Sequence, residues 1–175
     1  FSWNCGVEGQ STNPIVVNLR ITLQKSLLGS LLMSAGIPMI LMGDEVGRSQ
    51  FGSNNSYSLP LDKNNELKGE DAFNGGWALK WSRDEIEQDL YETTKTLIQI
   101  RKDYLAPVAR TFFTGEADLN SKHKDLAWFT LSGQEMTAND WSKKELRTLA
   151  MYVDATLDQD LLMLFNAERS EEHTS

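Results

Sequence analysis

The sequence predicts a chain of mixed class, in which an α/β part is followed by a small antiparallel all-β part. Three observations lead to this prediction. Apolar residues recur at helical spacing from Pro14 onward and again after Ser82. A continuous apolar run at 37–42 directly follows the first predicted helix, as a strand buried on both faces would. Beyond Pro107 the apolar spacing changes to every second residue, which is typical of strands.

The first helix is predicted to begin at Pro14, with Asn13 or Thr12 as its cap, because proline suits the first helical turn. Its predicted apolar stripe consists of Ile15, Leu19, Leu23, Leu27 and Leu31, widened by Val16, Leu28 and Leu32. This spacing predicts an amphipathic helix. Gly36 is predicted to end the helix as a C′ glycine.

The hexapeptide at 37–42 shows no alternation of apolar and polar residues, which predicts a buried strand. A helix followed by a buried strand is half of a βαβ unit. Asp44 and Glu45 come directly after this predicted strand. Two carboxylates at a strand end could perform acid–base chemistry. The alternative is that Asp44 caps the following turn and Glu45 forms a structural ion pair.

Residues 46–80 are rich in Gly, Ser and Asn, and so long a loop in a compact domain is unusual unless it is functional. Amide and guanidinium groups can hold sugar hydroxyls by paired hydrogen bonds. An aromatic ring can pack on the apolar face of a pyranose. The candidate sugar contacts here are Arg48, Asn54, Asn55 and Tyr57. The alternative is a polar surface loop with one buried tyrosine.

A second helix is predicted to begin near Ser82, where Ser82 and Glu85 have the spacing of a capping box. Pro107 is predicted to stop it. Strands are predicted within 126–131, 149–154 and 161–165, joined by polar turns. The predicted domain boundary lies near residue 107.

Composition limits the partners and cofactors that the chain is expected to have. A formal net charge of -8 disfavours nucleic acid and anionic membrane surfaces, because phosphate binding needs a basic patch. The single cysteine, Cys5, closes no internal disulfide. The apolar stretch 27–42 is interrupted by glycine, serine and proline, so no membrane span is predicted. No zinc, P-loop or dinucleotide-binding spacing occurs. We therefore expect a cytoplasmic protein with no metal and no cofactor.

Four motifs resemble, in chain order, those of bacterial glycogen debranching enzymes and isoamylases of the α-amylase superfamily. Residues 2–9 (SWNCGVEG) resemble the segment after the seventh barrel strand, and 36–45 resemble the eighth strand and its exit. Arg48 with 54–57 (NNSY) is similar to the next motif, and 132–137 (SGQEMT) with Asp140 and Trp141 is similar to a signature of the C-terminal β domain. The likeness covers 1–167. The sequence departs from the family pattern at 58–76, so no sugar contact is carried over there.

The resemblance implies the C-terminal part of a (β/α)8 TIM barrel over 1–106 and an incomplete antiparallel β-sandwich over 107–168. An isolated strand at 37–42 would leave its backbone groups unpaired. The chain on its own is therefore expected to be unstable or to associate. Residues 169–175 (RSEEHTS) resemble the translation of a sequencing-library adaptor and carry no weight in the fold prediction. The alternative is a genuine polar tail.

The resemblance also implies hydrolysis of α-1,6 branch linkages in glycogen or limit dextrins, with retention of configuration by an aspartate nucleophile and a glutamate acid/base. A branched α-glucan is the implied partner. In the family the catalytic acids lie on strands four, five and seven, upstream of Phe1, so no catalytic residue is predicted here and the isolated chain is expected to be inactive. Asp44 and Glu45 would shape the active-site floor and the loop that carries Arg48. The alternatives are another α-amylase-superfamily glucan hydrolase and a non-catalytic glucan-binding module.

Overall fold

A computed structural model describes residues 3–48, 82–119, 122–156 and 159–167 of the chain. Contacts divide the chain into two compact units, Phe1–Gln99 and Ile100–Ser175. The described part of the first unit is helical, and the described part of the second contains a three-stranded sheet. The α/β and antiparallel β character that the sequence predicts is thus present only in part. The (β/α)8 barrel and the domain limits at 106 and 107 remain predictions.

Helix α1 spans Pro14–Leu32. Asn13 caps it by accepting a hydrogen bond from the Ile15 amide at 3.0 Å, as predicted. The helix ends earlier than predicted, with Met33 as the C-cap. The Ser34 hydroxyl donates to the Ser30 carbonyl at 2.6 Å, which is the acceptor that the Ser34 amide would use in a continuing helix. The Ser34 amide bonds instead to Leu31, so the prediction that Gly36 is the C′ residue is wrong.

The buried side of α1 also differs from the predicted stripe. Val16, Leu28 and Leu32 are buried, whereas Ile15 and Leu27 are 70% and 69% exposed. Residues that were predicted to widen the stripe therefore form its buried part. Apolar residues lie on several sides of this helix, so spacing alone does not select the side that contacts protein.

Residues 37–42 form no strand. Ile37 and Met39 are 97% and 88% exposed, and none of the β pairings among the described residues involves 37–42. A strand needs neighbours to receive its backbone hydrogen bonds, and no described segment supplies them here. The prediction of a buried strand at this place is therefore wrong for this structure.

Helix α2 spans Glu85–Ile100, and a π-helical turn, Arg101–Leu105, follows it in the sequence and ends before Pro107 as predicted. The capping box is formed by Asp84 and Glu87, whose side chains accept hydrogen bonds from each other's amides at 3.0 and 2.8 Å. The predicted pair, Ser82 and Glu85, is wrong by two residues. A cap at Ser82 would place the positive charge of Arg83 in the first turn, where the helix dipole disfavours it.

The sheet of the second unit has the order β1-β2-β3 and is antiparallel throughout. Strand β1 spans Leu126–Phe129, β2 spans Thr148–Thr156 and β3 spans Gln159–Asn166. All three predicted strands are confirmed. A short helix, α3, at Ala138–Trp141 lies between β1 and β2 in the sequence and is capped by Thr137.

One face of the sheet carries the core of the second unit. Leu105, Met151 and Val153 are buried at its centre, and half-buried residues including Trp128, Met163 and Phe165 pack around them. The side chains of β3 alternate, so that Leu162 and Leu164 on the other face are 60% and 72% exposed. The described strands form an open sheet, and the β-sandwich remains a prediction.

Candidate functional site

The predicted site residues that the structure describes lie in one tight turn of the first unit. A 3-10 turn spans Asp44–Val46 between Gly43 and Gly47, whose φ angles are 104° and 70°. Only glycine adopts such angles without strain. A Cβ at Gly47 would lie 3.4 Å from both the Gln24 Oε1 and the Leu90 Cδ2 atoms. The turn is therefore seated against α1 and α2.

The two carboxylates of this turn bind backbone amides of the turn itself and of the residues just before it. Asp44 Oδ2 accepts a hydrogen bond from the Leu41 amide at 3.3 Å, and Glu45 Oε2 accepts one from the Gly43 amide at 2.8 Å. Each hydrogen bond satisfies a backbone amide that is not bonded within a helix or a strand. Both side chains thus brace the backbone at 41–45. This role is structural, but it differs from the predicted alternative, because Asp44 does not cap the 3-10 turn and no ion pair of Glu45 is found among the described residues.

Arg48 is held beside these carboxylates by its backbone. Its amide donates to the Gly43 carbonyl at 2.9 Å, which closes the turn, and the residue is half-buried. The structure therefore brings together three predicted site residues, Asp44, Glu45 and Arg48. The other three, Asn54, Asn55 and Tyr57, lie outside the described residues, and the roles of all six in binding sugar remain predictions.

Arg20 organises the N-terminal loop, and sequence reasoning did not single it out. Its guanidinium donates to the carbonyls of Gly9, Asn4 and Val7 at 2.8, 2.9 and 2.5 Å. Between two of these carbonyls Cys5 is in the left-handed conformation, at φ 56°. Five N–H donors in a rigid fork allow one arginine to gather several acceptors. The signal in the sequence was that Arg20 is one of only two charged residues in the predicted helix.

Among the described residues of the first unit, an ion pair joins α1 and α2. Lys25 Nζ lies 2.5 Å from Asp89 Oδ2, with the two side chains 31% and 58% exposed. Exposed pairs of this kind contribute about 0.2–1 kcal/mol. The pair therefore adds little to the stability of the first unit.

The second unit contains a cavity that the sequence did not predict. Its volume is about 500 Å³, and its walls come from residues between 108 and 119, from His123 and Asp125, and from Asp154 on β2. Asp125 fixes one wall, since its carboxylate accepts hydrogen bonds from the Thr114 amide, the Thr114 hydroxyl and the Gly115 amide at 2.7, 3.1 and 2.8 Å. Burial raises the pKa of Asp125, but these hydrogen bonds outweigh burial and hold the pKa below its usual value.

Comparison with known proteins gives a consistent set of relatives. No protein-family model matches the chain. The chain is 33% identical over 179 residues to a glycogen operon protein GlgX homolog of Mycobacterium bovis, which covers 95% of this chain and 23% of the relative. It is 33% identical over 167 residues to the glycogen debranching enzyme of Pectobacterium carotovorum, covering 95% and 21%. It is 33% identical over 156 residues to an isoamylase of Flavobacterium, covering 89% and 17%. The chain spans about a fifth of the length of these curated relatives.

Proposed function

The chain belongs to the family of glycogen debranching enzymes and isoamylases, and on that premise we propose that the whole protein hydrolyses α-1,6 branch linkages of glycogen or limit dextrins. The observation that carries this proposal is the alignment, at 33% identity, of 95% of the chain with a protein named glycogen debranching enzyme. The names of the relatives favour debranching over the other α-glucan hydrolases that the sequence motifs left open.

The proposed chemistry is that of a retaining glycosidase, with an aspartate nucleophile and a glutamate acid/base about 5–5.5 Å apart. We place both catalytic carboxylates outside this chain. The hydrogen bonds of Asp44 and Glu45 support this placement, because both carboxylates brace the backbone at 41–45. In this proposal the turn at 43–48 shapes the floor of the site, and Arg48, Asn54, Asn55 and Tyr57 contact the sugar.

We also propose a cytoplasmic location for the whole protein. Among the described helices, α1 is long and apolar enough to cross a membrane, a test that core helices of soluble proteins also pass. Its two charged residues, Arg20 and Lys25, bind carbonyls of the N-terminal loop and the Asp89 carboxylate. Burying such groups in lipid is costly, so their contacts within the protein favour a water-soluble helix.

The substrate preference is tested by assaying the whole protein that contains this chain on a branched limit dextrin and on linear amylose. We expect reducing ends to be released from the limit dextrin and essentially none from amylose. Equal or faster release from amylose would favour another α-glucan hydrolase and contradict the proposal. The isolated 175-residue chain, assayed at the same concentration, is expected to release none from either.

Arg48 gives a test of the proposed sugar contacts. In the whole protein, Arg48→Ala is expected to lower kcat/KM for the limit dextrin about 10- to 100-fold, because a hydrogen bond from a charged group contributes about 1.5–3 kcal/mol. Arg147→Ala is the matched control, since Arg147 is exposed in the second unit and its guanidinium donates to the nearby carbonyls of Lys144 and Leu146. Equal kinetics of the two variants would remove Arg48 from the site.

A further inference from the structure

The loop at 4–9 lies on the surface of the first unit and is nevertheless held by hydrogen bonds at several points. Most of its residues are exposed. The Asn4 side chain donates to the Glu8 carboxylate and accepts from the Gly6 amide, both at 2.9 Å. The Arg20 guanidinium donates to three carbonyls of the loop. An exposed loop gains little from burial, so contacts that fix its shape indicate a loop preorganised for binding.

The backbone of this loop adopts a conformation that needs outside support. Cys5 has a φ angle of 56°, in the left-handed region that is unfavourable for a residue with a Cβ atom. Such conformations persist only where the surrounding contacts impose them, and they cluster at active sites and ligand-binding sites. Two of the carbonyls that Arg20 binds, those of Asn4 and Val7, lie on either side of Cys5. Arg20 is therefore the residue of α1 that imposes the shape of the loop.

Helix α1 carries this loop and the candidate site on one face. Arg20 and Gln24 are four residues apart, which places them on the same face of the helix, about 6 Å apart along its axis. The Gln24 Oε1 atom lies 3.4 Å from the position that a Cβ at Gly47 would occupy. Arg20 thus contacts the loop at 4–9, and Gln24 contacts the turn at 43–48. The loop and the turn are therefore neighbours along α1.

We propose that Arg20 is a positioning residue for the reaction of the whole protein, because it holds the loop at 4–9 as a second wall beside the turn at 43–48. The proposal rests on the proposed function, since the substrate is the one that Arg48 is proposed to contact. Arg20 acts through the loop and does not touch the substrate. Without its guanidinium, the three exposed carbonyls bond to water and the fold loses little. The substrate must then order the loop as it binds, and this cost appears in KM.

Steady-state kinetics of the whole protein on a branched limit dextrin test the proposal. Arg20→Ala is expected to raise KM about fivefold to fiftyfold and to leave kcat unchanged, because it weakens binding and not the chemical step. Lys25→Ala is the matched control, since Lys25 is the other charged residue of α1 and pairs with Asp89 on α2. A wild-type KM in Arg20→Ala, or the same rise in Lys25→Ala, would overturn the proposal.

Hydrogen–deuterium exchange of the same proteins gives a readout that does not depend on hydrolysis. We expect Arg20→Ala to speed exchange at 4–9 and not in α2, whereas loss of the fold would speed it in both. In the wild type, added limit dextrin should slow exchange at 4–9 together with 43–48. Slower exchange at 43–48 alone would overturn the proposal. Slower exchange of both segments in a protein that leaves α-1,6 bonds intact would contradict only the proposed function.

Discussion

At the scale of single residues, glycines set the shape of the candidate site. Gly43 and Gly47 both adopt left-handed angles at the two ends of the Asp44–Val46 turn. The position of a glycine in the sequence does not show which φ angle it adopts, so only the Gly-Asp-Glu motif, and not the turn geometry, could be predicted. Asp44, Glu45 and Arg48 come together because they are close in sequence, which is why their grouping was predictable.

Gly47→Ala is expected to destabilise the protein by about 1–2 kcal/mol, because a left-handed angle is strained for alanine. Gly29→Ala is the matched control. Gly29 lies inside α1 with no atom near its absent Cβ, so alanine there is expected to stabilise by about 0.5–1 kcal/mol. The apparent melting temperature of the whole protein should fall for the first variant and rise for the second. A rise for both would show that the turn angle is wrong.

Arg20→Ala is expected to loosen the N-terminal loop, because three carbonyls lose their donor. Cys5 is half-buried in this loop, so its alkylation by iodoacetamide, followed by peptide mass spectrometry, should become several times faster. Lys95→Ala serves as the control, since Lys95 is 67% exposed and pairs with Glu92 on the same helix. An unchanged rate in Arg20→Ala would show that the loop does not depend on this residue.

Asp125 gives a prediction about pH. Its pKa is lowered in the folded protein, so its ionised form stabilises the fold at pH values above the unfolded pKa near 3.8, and this contribution is lost as pH falls through the lower folded pKa. Asp125→Asn should therefore lower the melting temperature clearly at pH 7, and the difference from wild type should shrink below pH 4. A difference that does not change with pH would contradict the assignment.

At the scale of elements, the sequence predicted which segments are helices and strands better than it predicted which side of each is buried. Helix α2 and the three strands follow from local spacing and are confirmed. The spacing of apolar residues does not encode tertiary contacts or competition between possible caps. These determine where α1 ends, which side of it is buried and which residues cap α2. The cavity was missed for a similar reason, because Phe112 and Asp154 are brought together only by the fold.

The alternation along β3 can be checked directly. Met163 faces the core of the second unit, whereas Leu164 is 72% exposed on the other face. Met163→Ala is expected to destabilise by about 1–3 kcal/mol, and Leu164→Ala by less than about 0.5 kcal/mol. Thermal unfolding of the two variants measures the contrast. Equal losses would indicate that the register of β3 against β2 is wrong.

At the scale of the whole molecule, the exposed apolar surface is the main departure from the predicted fold. Ile37, Met39, Leu162 and Leu164 are all largely exposed. A barrel around residues 37–42 and a second sheet over β3 are the predicted partners of these surfaces. Both predictions follow from the resemblance to the family. Local spacing could not supply them, since a buried strand is buried only by neighbours that lie far away in sequence.

Cleavage of branch linkages by the whole protein can be followed by proton NMR of a branched limit dextrin. The anomeric protons of α-1,6 and α-1,4 linkages give separate signals, so each bond type is followed in one spectrum. We expect the α-1,6 signal to disappear while the α-1,4 signal keeps its intensity. Loss of the α-1,4 signal with the α-1,6 signal intact would contradict the proposed debranching activity.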